Sequence, residues 1–525
     1  MSAPSIVHLP IPQVSPQGLY QIQQIQAIEA TAKKMLPVGA LMRAAGIAAT
    51  KLAISLLPKA RGEILVLAGP GDNGGDALEV AHLLAEEGMD IHILLLGKEQ
   101  QYSLEARQSL QRAQHSQLQW ISQAEVEKLS ISHWDLVIDG LFGIGLNRPI
   151  EGAIATLIAY INNNNQNHQT PILALDTPSG LDVNTGTIFG QQSIALRATH
   201  TISFIANKVG LHTSQGKDYA GQVHIDSLGI EHTLYPPAYA HLLTSKTFIN
   251  NMSKRQHNSH KGTYGDVLVV GGAVGMTGAP LLAGRAALLC GAGRVHLGFL
   301  DKFNPVDHLH PELMCRSAQD SDFISAVVAI GPGLGSTEHA RLQLQRALQE
   351  SKALVIDADA LNLIAAHDNL QEMVRQRSKQ DLRTIITPHP LEAARLLQTS
   401  VQTVQADRCS AAKKLADALQ TCVVLKGAGS IIADTNYLWI NSSGNPSLAT
   451  AGTGDVLTGV CAALLAQGLG TAHAACLAVY LHGKAADDCV LQGLGPIGLS
   501  ASELIPAIRS ALNTLTKLQD NPQFT

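Results

Sequence analysis

Residues 445–459 read Asn-Pro-Ser-Leu-Ala-Thr-Ala-Gly-Thr-Gly-Asp-Val-Leu-Thr-Gly, a run of small residues set before one acid, Asp455. Val456, Leu457, Val460, Leu464 and Leu465 come next, at a spacing that predicts a buried helix. A glycine loop that opens a helix presents free backbone N–H groups and the positive end of the helix dipole, which together hold a phosphate. A carboxylate there is electrostatically unfavourable unless the chemistry needs a base or a metal ligand. A single Gly-Asp pair is commonly no more than a helix start capped by its acid. Three small residues before Asp455 and a buried helix after it favour a site.

Outward from that stretch, the second half of the chain repeats one plan. Val267-Leu268-Val269-Val270 is a buried strand that runs into Gly271-Gly272 and Gly275-Met276-Thr277-Gly278-Ala279-Pro280, with a small-residue helix to Leu289. Val327-Val328-Ala329-Ile330 meets Gly331-Pro332-Gly333-Leu334-Gly335, and Val355-Ile356 meets Asp357-Ala358-Asp359-Ala360-Leu361-Asn362. Ile385-Ile386 brings Thr387-Pro388-His389-Pro390-Leu391-Glu392, and Val423-Val424-Leu425 brings Lys426-Gly427-Ala428-Gly429-Ser430. Alternating buried strands and helices predict a doubly wound α/β domain. His389 keeps two readings, a ligand contact or a histidine that fixes its own turn. The basic loop at residues 259–265, Ser-His-Lys-Gly-Thr-Tyr-Gly, reads by itself as solvated surface.

The first half obeys the same logic. Residues 19–51 read as two helices, with Ile22, Ile25 and Ile28 and then Leu41, Met42 and Ala45 at helical spacing. The buried strand Ile64-Leu65-Val66-Leu67-Ala68 feeds Gly69-Pro70-Gly71-Asp72-Asn73-Gly74-Gly75-Asp76, after which a helix extends to about Glu87. Gly69, Gly71 and Gly74 satisfy the dinucleotide fingerprint. That fingerprint calls for an acid closing the next strand, yet Ile91-His92-Ile93-Leu94-Leu95-Leu96 ends in Gly97-Lys98, so an ordinary hydride-transferring domain is disfavoured. Asp72, Asn73 and Asp76 make the loop polar enough for a cation or a sugar. Leu136-Val137-Ile138-Asp139 precedes Gly140-Leu141-Phe142-Gly143-Ile144-Gly145-Leu146-Asn147-Arg148-Pro149, and Ile172-Leu173-Ala174-Leu175-Asp176 precedes Thr177-Pro178-Ser179-Gly180-Leu181-Asp182. The carboxyl ends of parallel strands gather at one edge, so Asn73, Asp139, Asp176 and Ser179 are expected to converge. Asn162 to Asn165 reads as a surface loop, and residues 200–204 and 222–225 as further strands.

Pro236-Pro237 marks a break, with the boundary between about Glu231 and Ser245; domains are taken as 1–232 and 233–525. A chain of 525 residues has room for two such cores. Net charge of −5 gives no basic footprint for nucleic acid. No apolar run is long enough to cross a bilayer, and Pro4, Pro10, Pro12 and Pro16 without a basic region and apolar core argue against a signal peptide. The 7 cysteines all come after residue 289 without metal-type spacing, which suits free thiols in a reducing cytoplasm.

Two resemblances join these observations. The segment ending Gly452-Thr453-Gly454-Asp455 resembles the signature of the ribokinase-like superfamily, in which the acid deprotonates the hydroxyl that attacks a nucleotide's terminal phosphate. Within it, residues 250–510 look like the ADP-dependent NAD(P)H-hydrate dehydratase family, since His-Lys-Gly-Thr-Tyr-Gly, Asp-Ala-Asp-Ala-Leu-Asn and Thr-Pro-His-Pro also occur in order. Residues 19–230 look like the NAD(P)H-hydrate epimerase family, whose glycine loop usually reads Asn-Asn-Gly-Gly-Asp-Gly. The resemblance implies a Rossmann-like first domain with potassium held by Asn73, Asp139 and Ser179. Substrate phosphates are implied along Asp72, Asn73, Gly74, Gly75 and Asp76 and along Gly143, Ile144, Gly145, Leu146, Asn147, Arg148 and Pro149, with Asp176 as acid/base. In the second domain it implies nucleotide contacts by Lys426, Gly427, Ala428, Gly429, Ser430 and Gly454, and hydrate contacts by Ala279, Gly333, His389 and the catalytic Asp455. The chain departs from the usual patterns at Asp72 (commonly Asn), Ala77 (Gly), Arg43 (Glu), Leu391 (Gly), and Ser447 and Ala451 (Gly). Asp72 adds negative charge beside a phosphate, Ala77 is compatible with a helix start, and Ser447 and Ala451 are expected to narrow the loop or slow it, although Gly452 and Gly454 remain.

The implied activity is metabolite repair. A reduced nicotinamide that has added water is no hydride donor and exists as two epimers. The first domain interconverts them, and the second uses ADP with Mg2+ to expel the water, leaving NAD(P)H, AMP and phosphate. The implied partners are hydrated NADH or NADPH and ADP, in a cytoplasmic homo-oligomer with no nucleic acid or membrane partner. The rival reading is an ATP-dependent small-alcohol kinase fused to a non-catalytic nucleotide-binding scaffold.

Overall fold

Seven parallel strands organise the first half of the chain, and the central ones are short apolar runs because a sheet covered by helices on both faces buries both sides of its inner strands. A computed structural model describes residues 17–58, 61–97, 99–166, 170–190, 193–249, 255–301 and 306–518. The prolines at 4, 10, 12 and 16, and Lys98, lie outside the described residues. The chain separates into two units between His241 and Leu242. Residues 233–241 therefore join the first unit rather than the second: Tyr235 is buried there, edge-on to Tyr20, and its hydroxyl donates to the Ile205 carbonyl at 2.6 Å.

The first unit opens with a short strand, β1 (Gly18–Tyr20), before the helices Ile22–Lys33 and Ala40–Leu56. Next come β2 (Glu63–Ala68), β3 (Asp90–Leu95), β4 (Gln119–Trp120), β5 (Leu136–Gly140), β6 (Ile172–Leu175), β7 (His200–Phe204), β8 (Asn207–Lys208) and β9 (Gln222–Asp226). The sheet runs β4-β3-β2-β5-β6-β7-β9, all neighbours parallel. This is the Rossmann order, and the direction of winding reverses between β2 and β5, where such sheets bind ligands at the carboxyl edge.

The second unit repeats the reversal. After a short strand at the division, β10 (Ala240–Leu243), come β11 (Asp266–Gly271), β12 (Arg294–Phe299), β13 (Met314–Ser317), β14 (Val327–Ile330), β15 (Ala353–Ile356), β16 (Arg383–Ile386), β17 (Cys422–Leu425), β18 (Ile431–Ala433) and β19 (Leu438–Asn441). From β13 the order is β13-β12-β11-β14-β15-β16-β17, all parallel, extended by antiparallel β18 and β19. The helix Thr453–Ala466 lies in the core, with Val456, Val460 and Leu465 wholly buried. It meets the helix Gly278–Leu289 so closely that a Cβ on Gly459 would sit 2.0 Å from the Ala283 carbonyl oxygen. Glycine at 459 is thus a packing requirement. Among the described residues no helix is long and apolar enough to cross a membrane.

Candidate active sites

In the first unit the loops after β2, β5 and β6 surround a cavity of about 850 Å³. Asp72, Asn73, Asp76, all of residues 143–149, and Asp176 line it; of the residues expected to converge, Asn73 and Asp176 are in this lining and Asp139 and Ser179 are not. Gly74 and Gly75 lie outside the lining. The glycine run is not a loop through Asp76: the helix Asp72–Glu86 begins at Asp72, and its first turn must pass close to the strand end. A Cβ on Gly74 would sit 1.9 Å from the Gly69 carbonyl oxygen, and one on Gly75 would meet Met42 and Ala106 at 2.7 Å. Both glycines therefore serve close packing. Asp72 accepts a hydrogen bond from the Ser103 hydroxyl at 2.6 Å, which ties its charge to a neighbouring turn. Ala77 is fully buried in the helix.

Asp176 stands one residue past β6 with φ +65°, a conformation uncommon outside glycine. It is held by its own N–H to the Ile202 carbonyl at 2.8 Å and by Lys208, whose Nζ lies 2.7 Å from Oδ1. Lys208 is fully enclosed and also donates to Ser203 Oγ at 2.7 Å and to the Phe204 carbonyl at 3.1 Å. Its role was not legible in the motifs, although a lone cation inside Phe204-Ile205-Ala206-Asn207-Lys208-Val209-Gly210-Leu211 is a usable signal, since a charge in an apolar run needs a partner.

Asp139 and Ser179 are joined directly at the carboxyl edge, outside the cavity lining that Asn73 belongs to. The Ser179 hydroxyl donates to Asp139 Oδ1 at 2.6 Å and its N–H to Oδ2 at 2.9 Å, while the Leu141 N–H reaches Oδ1 at 3.2 Å. Asp139 is fully buried with no ion-pair partner among the described residues, and burial pushes its carboxyl up to about 6. Asn73 is also buried, and neither its Oδ1 nor its Nδ2 has a hydrogen-bond partner. A Cβ on Gly143 would lie 3.5 Å from that Oδ1. A buried amide oxygen without a partner and a buried carboxylate without a counter-charge are each donors that suit a small cation bound by oxygens.

In the second unit the loops after β11, β14, β15, β16 and β17 reach the same carboxyl edge. Asp455 is the third residue of the helix Thr453–Ala466, and Gly452 before it has φ +89°. The helix start is anchored by His482, whose Nε2–H donates to the Thr453 carbonyl at 2.9 Å; burial pushes that imidazole down to about 4. Lys426 lies 2.8 Å from Asp357 Oδ1 and 3.9 Å from Glu392 Oε2, and a Cβ on Gly454 would be 3.4 Å from its Nζ. Burial opposes the charge of Lys426, but Asp357 and Glu392 hold its pKa above the ordinary lysine value. Asp357 is buried and also accepts from Thr458 Oγ1 at 2.7 Å. Burial, reinforced by Asp357, pushes Asp455 up to about 6, with Lys426 pulling the other way.

The loop from Lys426 to Ser430 turns through Gly427 (φ +140°) and Gly429 (φ +58°). Buried Arg408 supports it by donating to the Leu425 and Lys426 carbonyls at 3.4 and 3.3 Å. Ala279 and Gly333 are neighbours, a Cβ on Gly333 falling 3.4 Å from the Ala279 methyl. His389 caps its own helix: Nδ1 accepts from the Leu391 and Glu392 N–H groups at 3.1 and 3.3 Å. Its Nε2 lies 3.1 Å from Glu392 Oε1. Ser447 is buried and bonded to Asn445 Oδ1 at 2.6 Å, so it faces the protein rather than narrowing the loop. Asp357, Glu392, Thr458, Arg408 and His482 were not singled out as functional from the sequence.

The model of the NAD(P)H-hydrate dehydratase family matches residues 267–509, and that described as YjeF-related protein N-terminus matches residues 38–210. A bifunctional NAD(P)H-hydrate repair enzyme of Coxiella burnetii is 36% identical over 94% of this chain and 99% of its own. The chain belongs to that bifunctional family. The enzyme of the same description from Escherichia coli is 36% identical, over 90% of this chain and 89% of its own. A Bacillus subtilis ADP/ATP-dependent NAD(P)H-hydrate dehydratase, co-crystallised with ATP and Mg2+, is 29% identical over 52% of this chain and 97% of its own, with a TM-score of 0.44. Membership accounts for two doubly wound units, Rossmann-like and ribokinase-like, in one polypeptide.

Proposed function

We propose that the chain repairs hydrated NADH and NADPH in two steps, epimerising the R and S hydrates in its first unit and dehydrating the S hydrate with ADP in its second. The observation that carries this reading is that one chain of the bifunctional family holds two separate carboxylates, Asp176 and Asp455, each near a lysine and a glycine-bearing loop.

In the first unit Asp176 faces the cavity as the proton-transfer group at the hydrated ring, with residues 143–149 along the phosphates. Asn73, Asp139 and Ser179 would hold potassium, which neutralises Asp139 and orients the substrate. In the second unit Asp455 takes the proton of the ring hydroxyl, whose oxygen attacks the β-phosphate of ADP. AMP leaves, and elimination of phosphate from the resulting ester restores NAD(P)H. Lys426 and the N–H groups of residues 427–430 and Gly454 spread the developing negative charge. Asp455 and Asp359 form no ion pair among the described residues and would attract the Mg2+ that accompanies the diphosphate. The same reading places the protein in the cytoplasm, where free cysteines stay reduced, as a homo-oligomer.

A phosphate-donor panel on a mixed-epimer hydrate tests it. Absorbance of NAD(P)H should recover completely with ADP and potassium, with AMP accumulating in step. Turnover with ATP alone, or recovery that stops when the S epimer is consumed, would contradict one or the other half of the reading.

A further inference from the structure

The cavity of the first unit holds a second carboxyl that proton transfer by Asp176 alone leaves unused. Asp76, on the helix Asp72–Glu86, lines the same space as Asp176. The two acids have opposed surroundings. Asp176 is engaged as a carboxylate by enclosed Lys208 and by the Phe204 N–H at 3.2 Å. Asp76 has no hydrogen-bond or ion-pair partner among the described residues. The charged groups that bear on it are Asp176, which lines the same cavity, Asp72 on its own helix and Glu29 on the helix Ile22–Lys33, with Lys33 of that helix the opposing cation. Burial first, and then the charges of Asp176, Asp72 and Glu29, push its carboxyl well above the ordinary aspartate range. A carboxylate paired with a lysine and an unpaired carboxyl that holds its proton, both lining one cavity, can act as general base and general acid.

The substrate chemistry needs such a pair. The hydrated carbon carries a hydroxyl next to the ring nitrogen, a hemiaminal, and its handedness is lost when the carbon–nitrogen bond opens. We propose that Asp76 is the acid partner of Asp176 in this opening and closing. Asp176 takes the hydroxyl proton as Asp76 gives its proton to the ring nitrogen. The carbon–nitrogen bond breaks, its electron pair going to nitrogen, and the carbon becomes an aldehyde. Rotation presents the other face of the aldehyde. The nitrogen then re-adds, returning its proton to Asp76, while Asp176 gives its proton back to the oxygen. No proton, electron or atom is gained or lost over the cycle.

This inference rests on the epimerase reading, and the test separates the two. Interconversion of the isolated R and S hydrates is measured by chromatography across pH, using the full chain without ADP, with hydrate affinity measured by calorimetry. The wild-type protein should accelerate interconversion, with a rate that falls at high pH as Asp76 loses its proton. Asp76→Asn should lower the rate by about 10²-fold or more with binding retained, and should abolish the high-pH fall. Asp76→Glu, which keeps an acid, should exceed Asp76→Asn and retain that fall. A wild-type protein without acceleration overturns the epimerase reading and the inference together. With an active wild type, the inference alone is overturned by Asp76→Asn at the wild-type rate, by a loss matched in affinity, by an unchanged pH profile, or by Asp76→Glu no better than Asp76→Asn.

Discussion

The two units solve one electrostatic problem with the same parts and assign the parts differently. Each places an acid just past a parallel strand, Asp176 after β6 and Asp357 after β15, and fastens a lysine to it at 2.7 and 2.8 Å. Each also sets an acid near the start of a helix, Asp76 and Asp455, without an ion-pair partner among the described residues and with a raised pKa. In the second unit Asp357 is only 1% exposed and is spent on Lys426 and Thr458, so of these two acids only Asp455 can meet a substrate. In the first unit Asp176 still faces the cavity, so both acids can. A phosphoryl transfer needs one base, whereas opening and closing a hemiaminal needs a base and an acid. The difference in exposure of the lysine-bound carboxylate matches that chemistry.

The strongest way to break the comparison is to remove the unpaired acid of the second unit. Asp455→Asn should lower ADP-dependent dehydration by about 10³-fold while epimer interconversion by the same protein is unchanged. In the wild type, kcat/KM for dehydration should fall below about pH 6, as the base takes up a proton. Stability has the opposite sign. A carboxyl whose folded pKa is raised from 3.8 to about 6 contributes fully below pH 3.8, and that contribution is lost as pH rises through 6. Asp455→Asn should therefore raise the thermal midpoint at pH 8 and leave it nearly unchanged at pH 4. A variant both inactive and less stable at pH 8 would mean that Asp455 holds the fold together.

The lysine of the first unit gives the next largest effect. Lys208→Met leaves Asp176 without its cation in a half-enclosed site, and breaking a buried pair typically costs about 3–5 kcal/mol. Urea unfolding should show that loss in the first unit, with epimer interconversion reduced and dehydration retained. Lys208→Met combined with Asp176→Asn should recover much of the stability and none of the epimerase activity. Equal losses for the single and double variants would show that Lys208 acts through its packed stem rather than its charge.

Much of this was legible in the chain because parallel strands buried on both faces are continuous apolar runs, and the site is built from the loops at their carboxyl ends. Asp139, Asp176 and Asp455 could be picked out as acids at such junctions. The partners of those acids could not. Lys208 lies 32 residues after Asp176, and Lys426 lies 69 after Asp357, distances that only the tertiary fold closes. Local polarity also misled. Asn162 to Asn165 read as a surface loop, but Asn162 to Asn164 end the helix Gly152–Asn164, where Asn162 donates to the Ala195 carbonyl, and Asn165 is buried against Thr170. The run Asp72 to Asp76 read as loop for the same reason, although its glycines are needed for a helix that grazes the strand end.

Those glycines yield the smallest and sharpest prediction. Ala77 departs from the glycine usual in the family, yet its methyl is buried, and a Cβ on Gly140 would approach it to 2.4 Å. If the glycines of this segment were there for flexibility at a ligand, restoring one at 77 should speed epimerisation. If they are there for close approach, position 77 already has room for its methyl and glycine only loosens the helix. Ala77→Gly should then cost about 1–2 kcal/mol, from helix propensity and one lost buried methyl, with the epimerisation rate unchanged. A faster variant would move this turn from the scaffold to the moving parts of the site, and the parallel with the rigid helix start at Asp455 would no longer hold.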